Sequence, residues 1–166
     1  MKSSDNIRRK ESANKLVLQT PSHESYLAHI RVIVGDLARK VGFDEHEATK
    51  IEMAVDEACS NVVKHAYSPD KEWCWQHCDP EIRLDVRTEG SRLVIEINDH
   101  GQRFDFASYR PADIEGRLRE MKRNGYGIFI MRNFMDEVQY NSNDHTGNTL
   151  RMVKYLKKSR VSPIVP

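Results

Sequence analysis

Ile51-Glu-Met-Ala-Val-Asp-Glu-Ala-Cys-Ser-Asn-Val-Val-Lys-His-Ala-Tyr67 reads as the body of an amphipathic helix, and the rest of the chain is organised around it. The helix starts at Asp44, an N-cap with Glu47 at the third helical position, so a capping box would satisfy two orphan backbone donors. Ala48, Ile51, Val55, Ala58 and Val62 recur at three- and four-residue steps, the period of one buried stripe. Lys50, Glu57, Asn61 and His65 lie along its edge. Glu57 and Asn61 are one turn apart on one face, where a carboxylate and an amide can hold a magnesium ion and a nucleophile side by side. The same spacing is common on solvated helix faces, so it gains meaning only in combination with motifs later in the chain.

Downstream, Ile82, Leu84 and Val86 alternate, Glu89-Gly90-Ser91 makes a turn, and Leu93, Ile95 and Ile97 alternate again, which predicts a β-hairpin. The chain then breaks into Asn98-Asp-His-Gly-Gln-Arg-Phe-Asp105. An acid at a strand end can accept a hydrogen bond from an adenine amino group, and Gly101 allows the backbone to approach the base. Alone, Asp-x-Gly after a strand is a turn signal. Asn124-Gly-Tyr-Gly127 directly precedes an apolar helix, Ile128 to Met135. Glycines leading into a helix N-terminus expose N–H groups and the positive end of the dipole, a setting suited to phosphate oxygens. The stretch is too short for a dinucleotide fingerprint, and no G-x-x-x-x-G-K-[ST] occurs, so any phosphate site differs from a P-loop.

These three pieces, in this order, carry a resemblance. Ile51–Tyr67 resembles the N-box of the GHKL (histidine-kinase-like, Bergerat-fold) ATPases, Asp99-His-Gly-Gln-Arg-Phe-Asp105 their G1 box, and Gly125-Tyr-Gly-Ile-Phe-Ile-Met-Arg132 their G2 box. Within that superfamily the run Gly125 to Val138 is most similar to the bacterial anti-sigma-factor serine/threonine kinases, and Gly147-Asn-Thr149 matches their closing Gly-x-Thr element. The resemblance spans about residues 15–157 and implies an ATPase domain over 13–157. Its fold would be an α/β two-layer sandwich, a mixed and mainly antiparallel sheet covered on one face by helices. It implies Glu57 as general base, Asn61 as magnesium ligand, Asp99 and Gly101 at the adenine, Gly125 and Gly127 around the phosphates, and Thr149 completing the adenine contacts. A mobile ATP lid would run from about Phe106 to Asn124, with Arg117, Arg119, Lys122 and Arg123 inside it. ATP and Mg2+ are the implied ligands. A sigma factor, a STAS-type antagonist phosphorylated on serine, and a second copy in a homodimer are the implied partners. A non-catalytic ATP-gated binder, and a related kinase that controls something other than a sigma factor, are the alternatives. Intact Glu57 and Asn61 favour catalysis.

Composition bounds the rest. The chain has 166 residues with no Pro/Gly/Ser-rich linker or internal repeat, which fits one compact domain with tails at 1–12 and 158–166. A net charge of +1, from 26 basic and 25 acidic residues, leaves no electrostatic footprint for nucleic acid. No apolar run approaches a bilayer span and the polar start is not a signal peptide, so a soluble cytoplasmic protein is expected, with no membrane partner. Lys15 to Thr20 reads as a first strand, and Ser22 as the cap of a helix striped by Leu27, Ile30, Val34, Leu37 and Val41 and ended by Gly42. Two last strands are expected over Glu137 to Ser142 and Thr149 to Leu156, around a turn at Asp144 to Asn148. Three cysteines argue against a disulfide framework. Cys59 reads as a small core residue, and Trp73-Cys74-Trp75-Gln-His77-Cys78 as an aromatic-anchored loop rather than a zinc site, which needs a fourth ligand. His65 either lines the nucleotide site or closes the helix.

Overall fold

The computed structural model describes residues 15–67, 80–103, 106, 126–143 and 146–157. The tails, the Trp73–Cys78 stretch, Gly125 and the expected lid beyond Phe106, with its four basic residues, lie outside the described residues.

Strand β1 (Lys15–Pro21) pairs with β2 (Glu81–Glu89), which turns through Gly90 and Ser91 into β3 (Arg92–Asp99). Strand β5 (Gly147–Tyr155) pairs with β3 on one side and with β4 (Glu137–Asn143) on the other. The five-stranded order is β1-β2-β3-β5-β4. Every neighbouring pair among the described residues is antiparallel, whereas the family resemblance implied a mixed sheet. Helices α1 (Leu27–Val41), α2 (Glu45–Asn61) and α3 (Gly127–Phe134) form the second layer, with α2 packed against both of the others.

The periodicities explain the layering. Ala48, Ile51, Val55, Ala58 and Val62 are all buried, and they meet the inward-facing Leu84, Ile95, Ile97 and Met152 of the sheet in one cluster. Each large aliphatic side chain so enclosed contributes about 1.5–3 kcal/mol relative to exposure. The α1 stripe behaves the same way: Ile30 and Val34 are buried, with Leu27, Leu37 and Val41 packed at the margin. The other face of the sheet carries charge, with Arg87 in two bonds to Glu96 at 2.8 and 2.9 Å and Lys15 2.6 Å from Asp85.

Three local expectations change. Asp44 does cap α2, its Oδ1 accepting the Glu47 N–H at 2.8 Å, but the Glu47 carboxylate does not turn back to complete the box. It binds Lys50 at 2.7 Å and the buried Lys154 of β5 at 2.8 Å, because a cation in the core demands an anion. Ser22 is not a cap: its N–H is still tied to the Pro80 carbonyl at the sheet edge, and His23 caps a 3-10 turn, Glu24–Tyr26, that leads into α1. Finally, β5 begins at Gly147, opposite Asn143, so Asn148 belongs to the strand rather than to the turn.

Candidate functional site

Four elements converge where β3 ends. The last residues of α2 run into a π-helical turn, Val62–Ala66, which sets Ala66 against the stretch following Asp99. Such widened turns recur at functional sites because they redirect side chains without ending the helix. Gln102 N–H donates to the Ala66 carbonyl at 2.7 Å, and a Cβ on Gly101 would stand 2.4 Å from that oxygen. The bare α-carbon of Gly101 therefore serves the contact between the two motifs. Tyr67 adds a second clasp, its hydroxyl accepting from His100 N–H at 3.0 Å and donating to the Glu81 carbonyl at 3.1 Å.

A cavity of about 420 Å³ opens between these elements. Asn61, Lys64 and His65 enter it from α2 and its continuation, Asp99, Gln102 and Arg103 from the end of β3, and Ile128 and Met131 from α3. Ile97, Leu150 and Tyr140 contribute sheet side chains. Phe106 closes one side, its ring 5.8 Å from Tyr140 and nearly parallel at 19°. Arg132 lies 4.9 Å over the Phe106 ring and donates to its carbonyl at 3.4 Å. Of the two readings of His65, the wall of the cavity is the observed one.

The sequence-selected residues assemble unevenly. Glu57 and Asn61 meet the N-terminus of α3 at Gly127, where a Cβ would lie 2.8 Å from Glu57 Oε2 and 3.3 Å from Asn61 Nδ2. Both side chains are half-buried, and neither has a hydrogen-bond partner among the described residues. Helix α3 starts without a side-chain cap, unlike α2, so its first N–H groups are not answered by a cap side chain. Asp99 is buried, and burial raises its carboxyl above the usual carboxylate range. The Asn148 amide and the Gly101 N–H, each 2.8 Å from Oδ1, pull in the opposite direction. Gly125 lies outside the described residues.

The structure does not bring Thr149 to this cavity. It pairs with Asn98, on the face of the sheet away from the helices, and its hydroxyl donates to Asn98 Oδ1 at 2.8 Å. Its neighbour Asn148 pairs with Asp99 and points inward. Because strand side chains alternate, a turn placed two residues late had hidden Asn148, and the pairing with Asp99 was the signal that could have found it. Cys59 is fully enclosed, and desolvation pushes its thiol well above the ordinary range, so it is not a nucleophile.

Known proteins are similar to this chain in sequence and in fold. Residues 20–154 match the histidine kinase-like ATPase domain family. The chain belongs to that family. It is 31% identical over 159 residues to the serine-protein kinase RsbW of Bacillus subtilis (strain 168), covering 92% of each chain. It is 30% identical over 155 residues to the serine-protein kinase RsbW of Bacillus cereus (strain AH820), covering 91% of each. Among solved structures, the RsbU and RsbW domains of Rv1364c from Mycobacterium tuberculosis superpose with a TM-score of 0.61 at 15% identity, over 87% of this chain and 33% of that one. The SiaB-SiaC complex from Pseudomonas aeruginosa gives 0.59 at 13% identity, over 92% and 99%. At those identities the two structures speak to the fold alone. Among the described residues no helix is long and apolar enough to cross a membrane.

Proposed function

We propose that this chain is a cytoplasmic serine protein kinase of the partner-switching, anti-sigma type, with residues 13–157 as its ATPase domain. The observation that carries the reading is the meeting of Glu57 and Asn61 at the uncapped start of α3, with Asn61 also lining a cavity that has Asp99 in its wall. Full-length similarity to serine-protein kinases supports it.

In this reading adenine lies against Ile97, Met131 and Leu150 with its amino group on Asp99. Gly101 shapes the wall through Ala66, and Gly125 and Gly127 frame the phosphates at the N-terminus of α3. Asn61 fits a magnesium ion: its amide has no partner among the described residues, and Mg2+ characteristically takes one or two protein donors besides phosphate oxygens and water. When bound, that ion would neutralise charge on the phosphates. Glu57 accepts the proton as the partner's serine oxygen bonds to the γ-phosphorus and the bond from phosphorus to the β–γ bridging oxygen breaks. Phosphorylation of a STAS-type antagonist would add up to two negative charges and change its affinity for the kinase, freeing the kinase to hold a sigma factor. A homodimer is the expected working state, since closed symmetric pairs are the commonest assemblies.

The test is label transfer from γ-labelled Mg-ATP into small proteins of a source-cell lysate, comparing wild type with Glu57→Gln. Loss of a general base costs about 100- to 10,000-fold, so one small protein should be labelled by wild type and not by the variant. Equal labelling by both removes Glu57 from the mechanism. No labelling by a wild type shown to bind Mg-ATP contradicts the kinase reading.

A further inference from the structure

Asn148 is a buried polar side chain, only 2% exposed, for which the family motifs offer no role. Its amide nitrogen has two hydrogens, and the two short bonds use both: to Asp99 Oδ1 at 2.8 Å and to the Gly101 carbonyl at 3.0 Å. The Gln102 carbonyl lies at 3.4 Å from the same nitrogen. Its oxygen meets the Ser142 hydroxyl of β4 at 2.8 Å. Turning the amide over would set its oxygen against a carboxylate and two carbonyls, so the network itself fixes the orientation. Asn148 thus holds the strand end and the loop beyond it in one arrangement.

The consequence falls on Asp99. Both of its hydrogen bonds among the described residues, from Asn148 and from Gly101 N–H, go to Oδ1. Oδ2 has no partner there, and Asp99 lines the cavity. We propose that Asn148 is the positioning residue for base selection: by occupying Oδ1 and pinning the loop, it presents Asp99 Oδ2 as an acceptor that selects a purine with a 6-amino group over one with a 6-oxo group or none. The inference deepens the nucleotide reading above and rests on it.

The chemistry is directional. An ionised carboxylate accepts and cannot donate, so it rewards the adenine amino group and repels the oxygen of a 6-oxopurine. Burial favours the protonated form, which donates instead; the amide of Asn148 counters this. Other titratable groups around the site are His100 beside Asp99, Lys64 and His65 after α2, Arg103 beyond β3, Tyr140 of β4 and, over the Phe106 ring, Arg132 of α3, whose other contributions to the cavity are apolar. Comparing nucleotides that share one triphosphate cancels the effect of these groups on the phosphates.

The experiment is titration calorimetry of the full chain with ATP, inosine triphosphate and purine riboside triphosphate, which has hydrogen in place of the amino group, between pH 6 and 8. A hydrogen bond to a charged group corresponds to about tenfold or more in affinity. Wild type should prefer ATP over the purine analogue by at least that factor across the range. Asn148→Asp keeps the shape but sets a second carboxylate beside Asp99, so the pair shares a proton. Its ATP preference should collapse to within about threefold while inosine triphosphate gains relative to ATP. Asn148→Ala should lose its preference as pH falls, at a higher pH than wild type. A folded variant that keeps the full preference at every pH overturns the proposal. So does a wild-type preference that falls tenfold between pH 8 and 6, a readout that needs no variant to fold. Wild type that binds all three nucleotides equally overturns the inference and leaves the nucleotide site standing. Wild type that binds none overturns the nucleotide reading itself.

Discussion

Near each of its ends β5 meets a carboxylate from a neighbouring element, half-buried Glu47 of α2 and buried Asp99 of β3, and the two are treated in opposite ways. At the end away from the cavity, Glu47 meets the ammonium of Lys154 at 2.8 Å and of Lys50 at 2.7 Å, which holds its carboxyl down at about 2. Lys154 is itself buried, and it also donates to the Phe134 carbonyl at 2.7 Å, with Asp136 at 3.7 Å. At the cavity end, Asp99 has an amide and a backbone N–H for partners, and burial leaves its carboxyl above the usual range. A lysine there would neutralise the acid and close it to any ligand. An amide orders the acid without neutralising it and leaves one oxygen for something that enters the cavity. One end stabilises the sandwich, and the other gives up some stability for a site.

The largest expected effect outside the catalytic step lies at the closed end. Lys154→Met leaves Glu47 with Lys50 alone and strands the Phe134 carbonyl, and should lower unfolding free energy by about 3 kcal/mol, near the bottom of the range for breaking a buried pair. Denaturant melts should show it, while the affinity for Mg-ATP stays within about twofold. A large loss of nucleotide affinity without a loss of stability would break the division between the two ends.

The same division has an acid signature of similar size. Glu47 titrates lower in the fold than its ordinary 4.5, so its contribution is complete above that pH and disappears as pH falls from 4.5 towards 2. The limiting value is about 3 kcal/mol, and Glu47→Gln should flatten that part of the profile of stability against pH. Asp99 has the opposite sign. Its raised carboxyl makes the ionised form a cost in the native state, a cost that grows as pH rises from the ordinary aspartate value to the folded one and is complete above it. An acid limb unchanged by Glu47→Gln would show that the Lys154 pair carries no such load.

The smallest effect contrasts two neighbours. Thr149→Val removes the bond to Asn98 Oδ1 and should cost about 1 kcal/mol, with Mg-ATP affinity unchanged within twofold. A tenfold loss of affinity would return Thr149 to the adenine site that its motif suggested.

That pair also marks where the sequence stops being readable. Helix α2 and the β2–β3 hairpin follow from local period: every residue of the Ala48 to Val62 stripe is buried, and so are Ile82, Leu84, Val86, Leu93, Ile95 and Ile97. The meeting of Glu57 with Gly127 joins motifs far apart in the chain, and only family likeness linked them in advance. Asn148 and Thr149 depend on register, which non-local pairing with Asp99 and Asn98 decides and which a polar turn of Asn, Asp and Gly residues leaves open. Lys154 illustrates a further limit, since one lysine in a strand that also carries Asn148, Thr149 and Arg151 gives no sign that Glu47, more than a hundred residues earlier, will cover it.

The central claim is that the cavity beside Asp99 binds ATP through its amino group. Its most direct test is Asp99→Asn, which keeps the shape and the acceptor for Gly101 and Asn148 but exchanges the free carboxylate oxygen for a donor. Calorimetry should show Mg-ATP affinity falling by at least about tenfold, with a melting temperature at or above that of wild type because a buried charge has gone. Undiminished Mg-ATP affinity in a folded Asp99→Asn protein would contradict the account.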